Sequence, residues 1–451
     1  MPDLSHDIAR HVTAAQPPAR ALSVAERSLL DAIGVTFAAS ALGERAEAFA
    51  DIAREASSPG GASVIGFGFR AAPAMAAFAN GAMAHALDYE DTFDPALVHP
   101  NAAVVPAALA LAESRAGVAG SDLLRAIATG ADLTCRLGLA IEGRERPGMG
   151  TRFMCGAFGA TAAAGRLLGL SAEELVHAFA LVMFQGSFNG EAMSYASSHM
   201  RAVREAFAAK AGIVAAMLAK AGVRAFDRPF EGQYGFFGLS ADGYDPAAFD
   251  GLGREFLGVE VSFKPWPSCR GTHAYVEAAL ALKAEHAFGA AAIERAETVV
   301  SPFFRSLSEP PERKRRPQTA IDAKFSIPYT LAVALHDGKV GLDAYRPDRL
   351  EDESLRALAD RIDHRVEERW TTQEATRGIL SLRLRDGRAF TRSIAAPLGH
   401  PDHPMSDRSL RAKFIENAGY ARVPLAPGQA ERIALRIERL QSLTHLGDLL
   451  L

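Results

Sequence analysis

The grammar of this chain changes near residue 260, from successive helices with a roughly 3.6-residue repeat to a mixture of helix and the roughly 2-residue repeat of strands, and that change limits the fold more than any single motif. Before it, Leu29, Leu30, Ile33 and Phe37 form a helical stripe behind Ser23 and Glu26, which read as a capping box. Ser171 and Glu174 repeat the device ahead of Leu175, Phe179 and Val182. A third helix is predicted from about Ala206 to Ala221, where Gly222 stops it. After the change, ILSLRLRDGRAFTRSI alternates apolar and polar residues on both sides of Asp386-Gly387, a strong hairpin signal. The two regimes are separated by FKPWPSCRGTH, with two prolines and a glycine, after which a helix begins near His273.

A chain of 451 residues exceeds the size at which one core stops growing, so two structural units are expected. The pattern predicts a mainly α protein: a helical domain over 1–259, an α/β domain over 260–396, and a return to helix over 397–451. In the last segment Ser406 is placed to cap a helix carrying Leu410 and Phe414. The all-helical domain is therefore expected to be discontinuous. No fixed-period repeat suggests a solenoid.

Charge excludes some partners. Lys and Arg total 49 against 53 Asp and Glu, so no global basic field invites nucleic acid or an anionic membrane, and any anion site must be local. The N-terminus lacks an apolar export signal, and no run of roughly 18 apolar residues offers a membrane span. Cys135, Cys155 and Cys269 have no CxxC or CxxH spacing and cannot all pair, which fits a reduced, cytoplasmic setting. The glycines of GASVIGFGFRAAP do not make GxGxxG. GRERPGMGTRFMCGAFGA lacks the ending of a phosphate-binding loop and reads as a flexible loop leading into a closely packed helix.

Three segments hold residues suited to chemistry. HALDYEDTFDPALVHP crowds His85, Asp88, Glu90, Asp91, Thr92, Asp94 and His99 just before the apolar run AAVVPAALALA. Its histidines and carboxylates are hard ligands, yet no recognised metal spacing is present; a helix end whose carboxylates cap the next segment is the other reading, above all for Glu90 and Asp94. SSHMRAVREAFAAKAG places His199, Arg201 and Arg204 at a helix start, where the positive dipole end disfavours cations unless a carboxylate answers them. Arg204, Glu205 and Lys210 are equally readable as a solvated helix face. In FKPWPSCRGTH, Lys264 stands beside Pro265-Trp266-Pro267 with Arg270, Thr272 and His273 behind it; a lysine against apolar walls can act as base or carboxylate anchor. Cys269 reads as core packing.

Together, VIGFGFRAAPAMAAFANGAMAHALDYEDT, HPNAAVVPAALALAE, CGAFGATAAAGRLLGLSAEEL, AAKAGIVAAMLAKAG, FKPWPSCRGTH, DAKFSIPYTLAVALHDGKV and SLRAKF, in this order, resemble the MmgE/PrpD family of 2-methylcitrate dehydratase and cis-aconitate decarboxylase. The resemblance spans nearly the whole chain. It implies a large helical domain with a smaller α/β lid, a homodimer, a site in the cleft between the domains, and a small polycarboxylate handled without metal or organic cofactor. By motif it places Asp88, Thr92, His99 and Lys264 in the catalytic site. Two departures stand out. Gly150-Thr151 occupies the place of a His-Pro pair, and Met200-Arg201 that of Thr-Lys, with Arg204 where a histidine is usual. An arginine grips a carboxylate bidentately but does not readily exchange protons.

The expectation is a cofactor-independent hydro-lyase on a hydroxy di- or tricarboxylate. His99 or Lys264 removes the α-proton, Arg201, Arg204 and Arg270 hold carboxylates beside His273, and His199 is a candidate replacement for the missing histidine. An epimerase, isomerase or decarboxylase of a related substrate needs the same step. A silent carboxylate-binding protein is the reading from a different class.

Overall fold

The computed structural model of the chain describes residues 3–186, 189–194, 198–446 and 449–450. It divides into two compact units, one formed by Met1–Val261 with Ser406–Leu451 and the other by Ser262–Met405.

The first unit is mostly helical: α1 (Leu4–Ala14), α2 (Ala19–Leu42), α3 (Ala46–Arg54), α4 (Pro73–Ala86), α5 (Pro100–Glu113), α6 (Gly120–Ile141), α7 (Thr151–Leu167), α8 (Ala172–Val182) and a further long helix, Glu205–Lys220. Every residue of α5 is buried, and it packs against α4, α6 and α7. Its sequence is therefore apolar all round rather than striped. Small residues allow the close approach this needs. A Cβ on Gly130 would meet the Gly159 carbonyl oxygen at 2.6 Å, so α6 and α7 touch backbone to backbone.

The Leu29, Leu30, Ile33 and Phe37 stripe is buried, but the capping box expected ahead of it does not form. Helix α2 starts four residues before Ser23, at Ala19 behind Pro18, so Ser23 and Glu26 lie inside the helix. The proline pair ends the preceding segment, and a ring at the cap position needs no hydrogen-bond donor there. The Ser171–Glu174 box does form and opens α8. The unit is also not all-helical. GASVIGFGFRAAP makes an antiparallel hairpin of β1 (Ser57–Val64) and β2 (Phe69–Ala71), turned at Gly66 and Gly68, whose φ angles of 78° and 70° favour glycine. At the C-terminal end Ser406 caps the Asp407–Ala418 helix by accepting from Ser409 N–H, and that helix lies against α2.

The second unit holds a four-stranded sheet in the order β4-β3-β5-β6, with β3 (Ile293–Val300) parallel to β4 (Ile362–Val366) and antiparallel to β5 (Gly378–Leu384), which pairs with β6 (Ala389–Ile394). The β5–β6 turn is the predicted Asp386-Gly387 hairpin, with Gly387 at φ 91°. The His273–His286 helix packs on the sheet, and Tyr275 Oη donates to the Val299 carbonyl at 2.8 Å. Among the described residues no helix is long and apolar enough to cross a membrane.

Candidate active site

The first unit gathers a cluster of buried ionisable groups at the loop between α4 and α5. His85 ends α4, Asp88 and Glu90 follow it, and His99 occupies the cap position before Pro100 opens α5. One nitrogen or oxygen from each of His85, Asp88, Glu90 and His99 lies within 4.8 Å of the others. The loop is held by its own backbone: Phe93 N–H donates to the Val98 carbonyl at 2.8 Å, and Thr92 Oγ1 to the same oxygen at 3.3 Å. Asp88 is buried with φ at +51°, a left-handed conformation that aspartate, like asparagine, adopts more readily than most non-glycine residues. Such a residue persists only where its surroundings fix it.

Glu90 organises the imidazoles. Its Oε1 is paired with Nδ1 of His85 and, at 2.9 Å, with Nδ1 of His99. The rings stand edge to face with centroids 4.8 Å apart. A carboxylate on Nδ1 favours the tautomer that carries hydrogen there, so each Nε2 presents a lone pair. Burial, together with the nearby Arg204 charge, pushes the His85 imidazole down to about 4, against the pull of Glu90. His85 is thus neutral near pH 7. His99 differs by access: its side chain is 19% exposed against 4% for His85.

Arg204 sits at the start of the Glu205–Lys220 helix, and the neighbouring Glu205 answers it with an ion pair of 3.3 Å. The face of Phe153 lies 4.2 Å from its guanidinium carbon. This is not a solvated helix face: the Arg204 and Glu205 side chains are 12% and 5% exposed. Burial raises the Glu205 carboxyl, which is also within electrostatic reach of His99 and Glu90. Glu205 is absent from the residues expected in the site; its acidic type in the first turn was the available signal, but only the fold brings it beside the loop.

Behind the loop, Asp91 accepts from Ser28 Oγ at 2.8 Å and Asn101 Nδ2 at 2.6 Å, and burial pushes its carboxyl up to about 6. Lys413, from the C-terminal segment, pairs with Asp31 at 2.7 Å and donates to the Tyr89 carbonyl at 2.7 Å. These contacts fix the loop against α2 and α5.

The remaining expected residues are distributed as follows. Arg201 lies half-buried in the short Met200–Val203 turn before Arg204. His199 is exposed and paired with Glu44 at 2.9 Å. Lys264, Arg270 and His273 belong to the second unit. Lys264 is fully buried beside Phe263, whose N–H donates to the Gly399 carbonyl at 3.0 Å. Arg270 donates to the carbonyls of Leu398 and Pro397 at 3.0 and 3.1 Å, a grip on backbone. His273 contacts the Ser268 carbonyl through Nε2 at 3.2 Å.

The profile of the MmgE/PrpD N-terminal domain matches residues 6–248, and that of the MmgE/PrpD C-terminal domain residues 266–440. The chain belongs to the MmgE/PrpD family. Among curated relatives of this MmgE/PrpD chain, cis-aconitate decarboxylase of Mus musculus is 27% identical over 93% of this chain and 86% of its own length. That of Homo sapiens is 28% identical over 88% and 84%, and that of Aspergillus terreus 27% over 87% and 84%. In this MmgE/PrpD protein, Gly150-Thr151 opens α7, where Thr151 Oγ1 donates to the Ser240 carbonyl at 3.0 Å.

Proposed function

We propose that the chain is a lyase acting on a small polycarboxylate by proton transfer at a carbon next to a carboxylate. The observation that carries this reading is the shared Glu90 carboxylate, which orients both His85 and His99 through Nδ1. His99, the more accessible of the two, acts as the proton carrier through Nε2. In dehydration His99 takes the Cα proton, the Cα–H electron pair moves toward the substrate carboxylate and then forms the Cα=Cβ bond, and the β-hydroxyl leaves as water with the proton that His99 returns. Arg204 and Arg201 balance the charge that develops on the carboxylate, and the resemblance separately gives Lys264 a catalytic role. The grip of Arg270 on backbone suits a role in shaping the segment that carries Lys264.

Decarboxylation is the second reading, supported by the names of the curated relatives. There the C–C bond to the departing carboxylate supplies the electron pair, carbon dioxide leaves, and His99 passes a proton taken from solvent to the carbanion. A homodimer and independence of cofactors belong to this reading through the resemblance.

Ultraviolet absorbance and proton NMR on purified protein with 2-methylcitrate, citrate and cis-aconitate in D2O separate the alternatives. Alkene formation from a hydroxy acid supports dehydration, and carbon dioxide release from cis-aconitate supports decarboxylation. Exchange without either product favours an epimerase. Ligand-induced stabilisation without turnover on any substrate would overturn the lyase reading in favour of a binding protein.

A further inference from the structure

We propose that the His85, Asp88, Glu90 and His99 cluster captures one divalent transition-metal ion such as Zn2+, and that capture shuts off proton transfer by occupying the lone pairs it needs. The inference rests on the geometry of these residues and not on which lyase reaction they perform.

The donor set is the first argument. Two imidazoles and two carboxylates converge within 4.8 Å, from two helix ends and the loop between them. Metal–nitrogen and metal–oxygen bonds of about 2.1 Å put tetrahedral ligands about 3.4 Å apart and opposite ligands of a six-coordinate ion about 4.2 Å apart, so side-chain shifts of about an ångström close the donors on one ion. Nitrogen donors favour Zn2+, Ni2+ or Fe2+ over Mg2+ and Ca2+, which take oxygen.

Electrostatics is the second. Asp88 and Glu90 are each 1% exposed, and the low solvation of the place strengthens the attraction of their carboxylates for a dication. Arg204 opposes this, since its charge reaches His85, but Glu205 is paired with that guanidinium. The partly exposed His99 gives an ion a way in. Loading the imidazoles through Nε2 leaves Glu90 on Nδ1 as an outer partner and Asp88 as the carboxylate ligand, while loading through Nδ1 replaces that contact and brings Glu90 onto the ion as the fourth donor; either way the pair no longer carries a proton freely.

Calorimetry of the full-length, chelator-treated protein with ZnCl2, without substrate, tests the proposal. One Zn2+ per chain is expected, with affinity falling about tenfold or more in His85→Ala and Asp88→Asn, proton release on binding, and no comparable heat with MgCl2. Unchanged affinity in both folded variants, no uptake, or equal uptake of Mg2+ would overturn it. If the variants fail to fold, X-ray absorption of the Zn2+-loaded wild type decides: two imidazoles in the first shell support the site, and fewer than two refute it. Because binding is read without turnover, its failure leaves the lyase reading standing. An inert substrate panel likewise leaves the binding result standing.

Discussion

Glu90 and His85 show how far a residue's neighbours in sequence fall short of its neighbours in space. Both lie in the polar run HALDYEDTFDPALVHP, and the expectation for Glu90 was a capping carboxylate. In the fold it is the shared partner of two imidazoles. If it positions them for proton transfer, Glu90→Gln removes the charge while keeping the shape. A fall in kcat of about tenfold or more is expected, with KM little changed and a displaced pH–rate profile. A loss of stability with an unaltered pH profile would reduce Glu90 to a structural role.

At the scale of elements, the Glu205–Lys220 helix fixes where Arg204 and Glu205 stand, and its packing depends on a missing side chain. A Cβ on Gly212 would meet the carbonyl carbon of Ala160 and the Thr161 nitrogen in α7, both at 2.7 Å. Backbone cannot yield as a flexible side chain can. Gly212→Ala is therefore expected to lower stability by about 1–3 kcal/mol in chemical denaturation, despite the higher helix propensity of alanine. Element type was legible where periodicity was strong: the Ser171–Glu174 box, the Ser406 cap and the Asp386-Gly387 hairpin all form. Helix α2 starts at Ala19 rather than behind Ser23 because a Ser-x-x-Glu pattern is local, whereas the proline pair before it has the stronger claim on the boundary.

Across the molecule, the C-terminal segment returns to the first unit through polar as well as apolar contacts. The Lys413–Asp31 pair is buried, so Lys413→Met takes a cation away from a carboxylate in the core and is expected to cost about 3–5 kcal/mol, measured by urea denaturation. Glu26 meets the same segment differently: partial burial, with Glu438 and Asp407 nearby, pushes its carboxyl up to about 7 from 4.5. The folded state then holds more protons than the unfolded state between those values. Stability falls as pH rises through that window, and the full penalty applies above it. Glu26→Gln should raise Tm at pH 8 relative to wild type, with the difference vanishing near pH 4; a constant difference at both values would point to another cause.

The mainly α character, the strands of the second unit and the family are legible in the amino-acid order alone, because periodicity, turn residues and motif order are properties of short windows or of their succession. It also marked Asp88, Thr92 and His99 as a polar run against an apolar helix. Folding alone brings Glu90 between His85 and His99, buries Glu205 beside Arg204, and carries Lys413 back to Asp31 and Tyr89. Those pairings depend on desolvation and on distances between elements far apart in the chain. Burial then sets which charges must find a partner, and no local pattern encodes it.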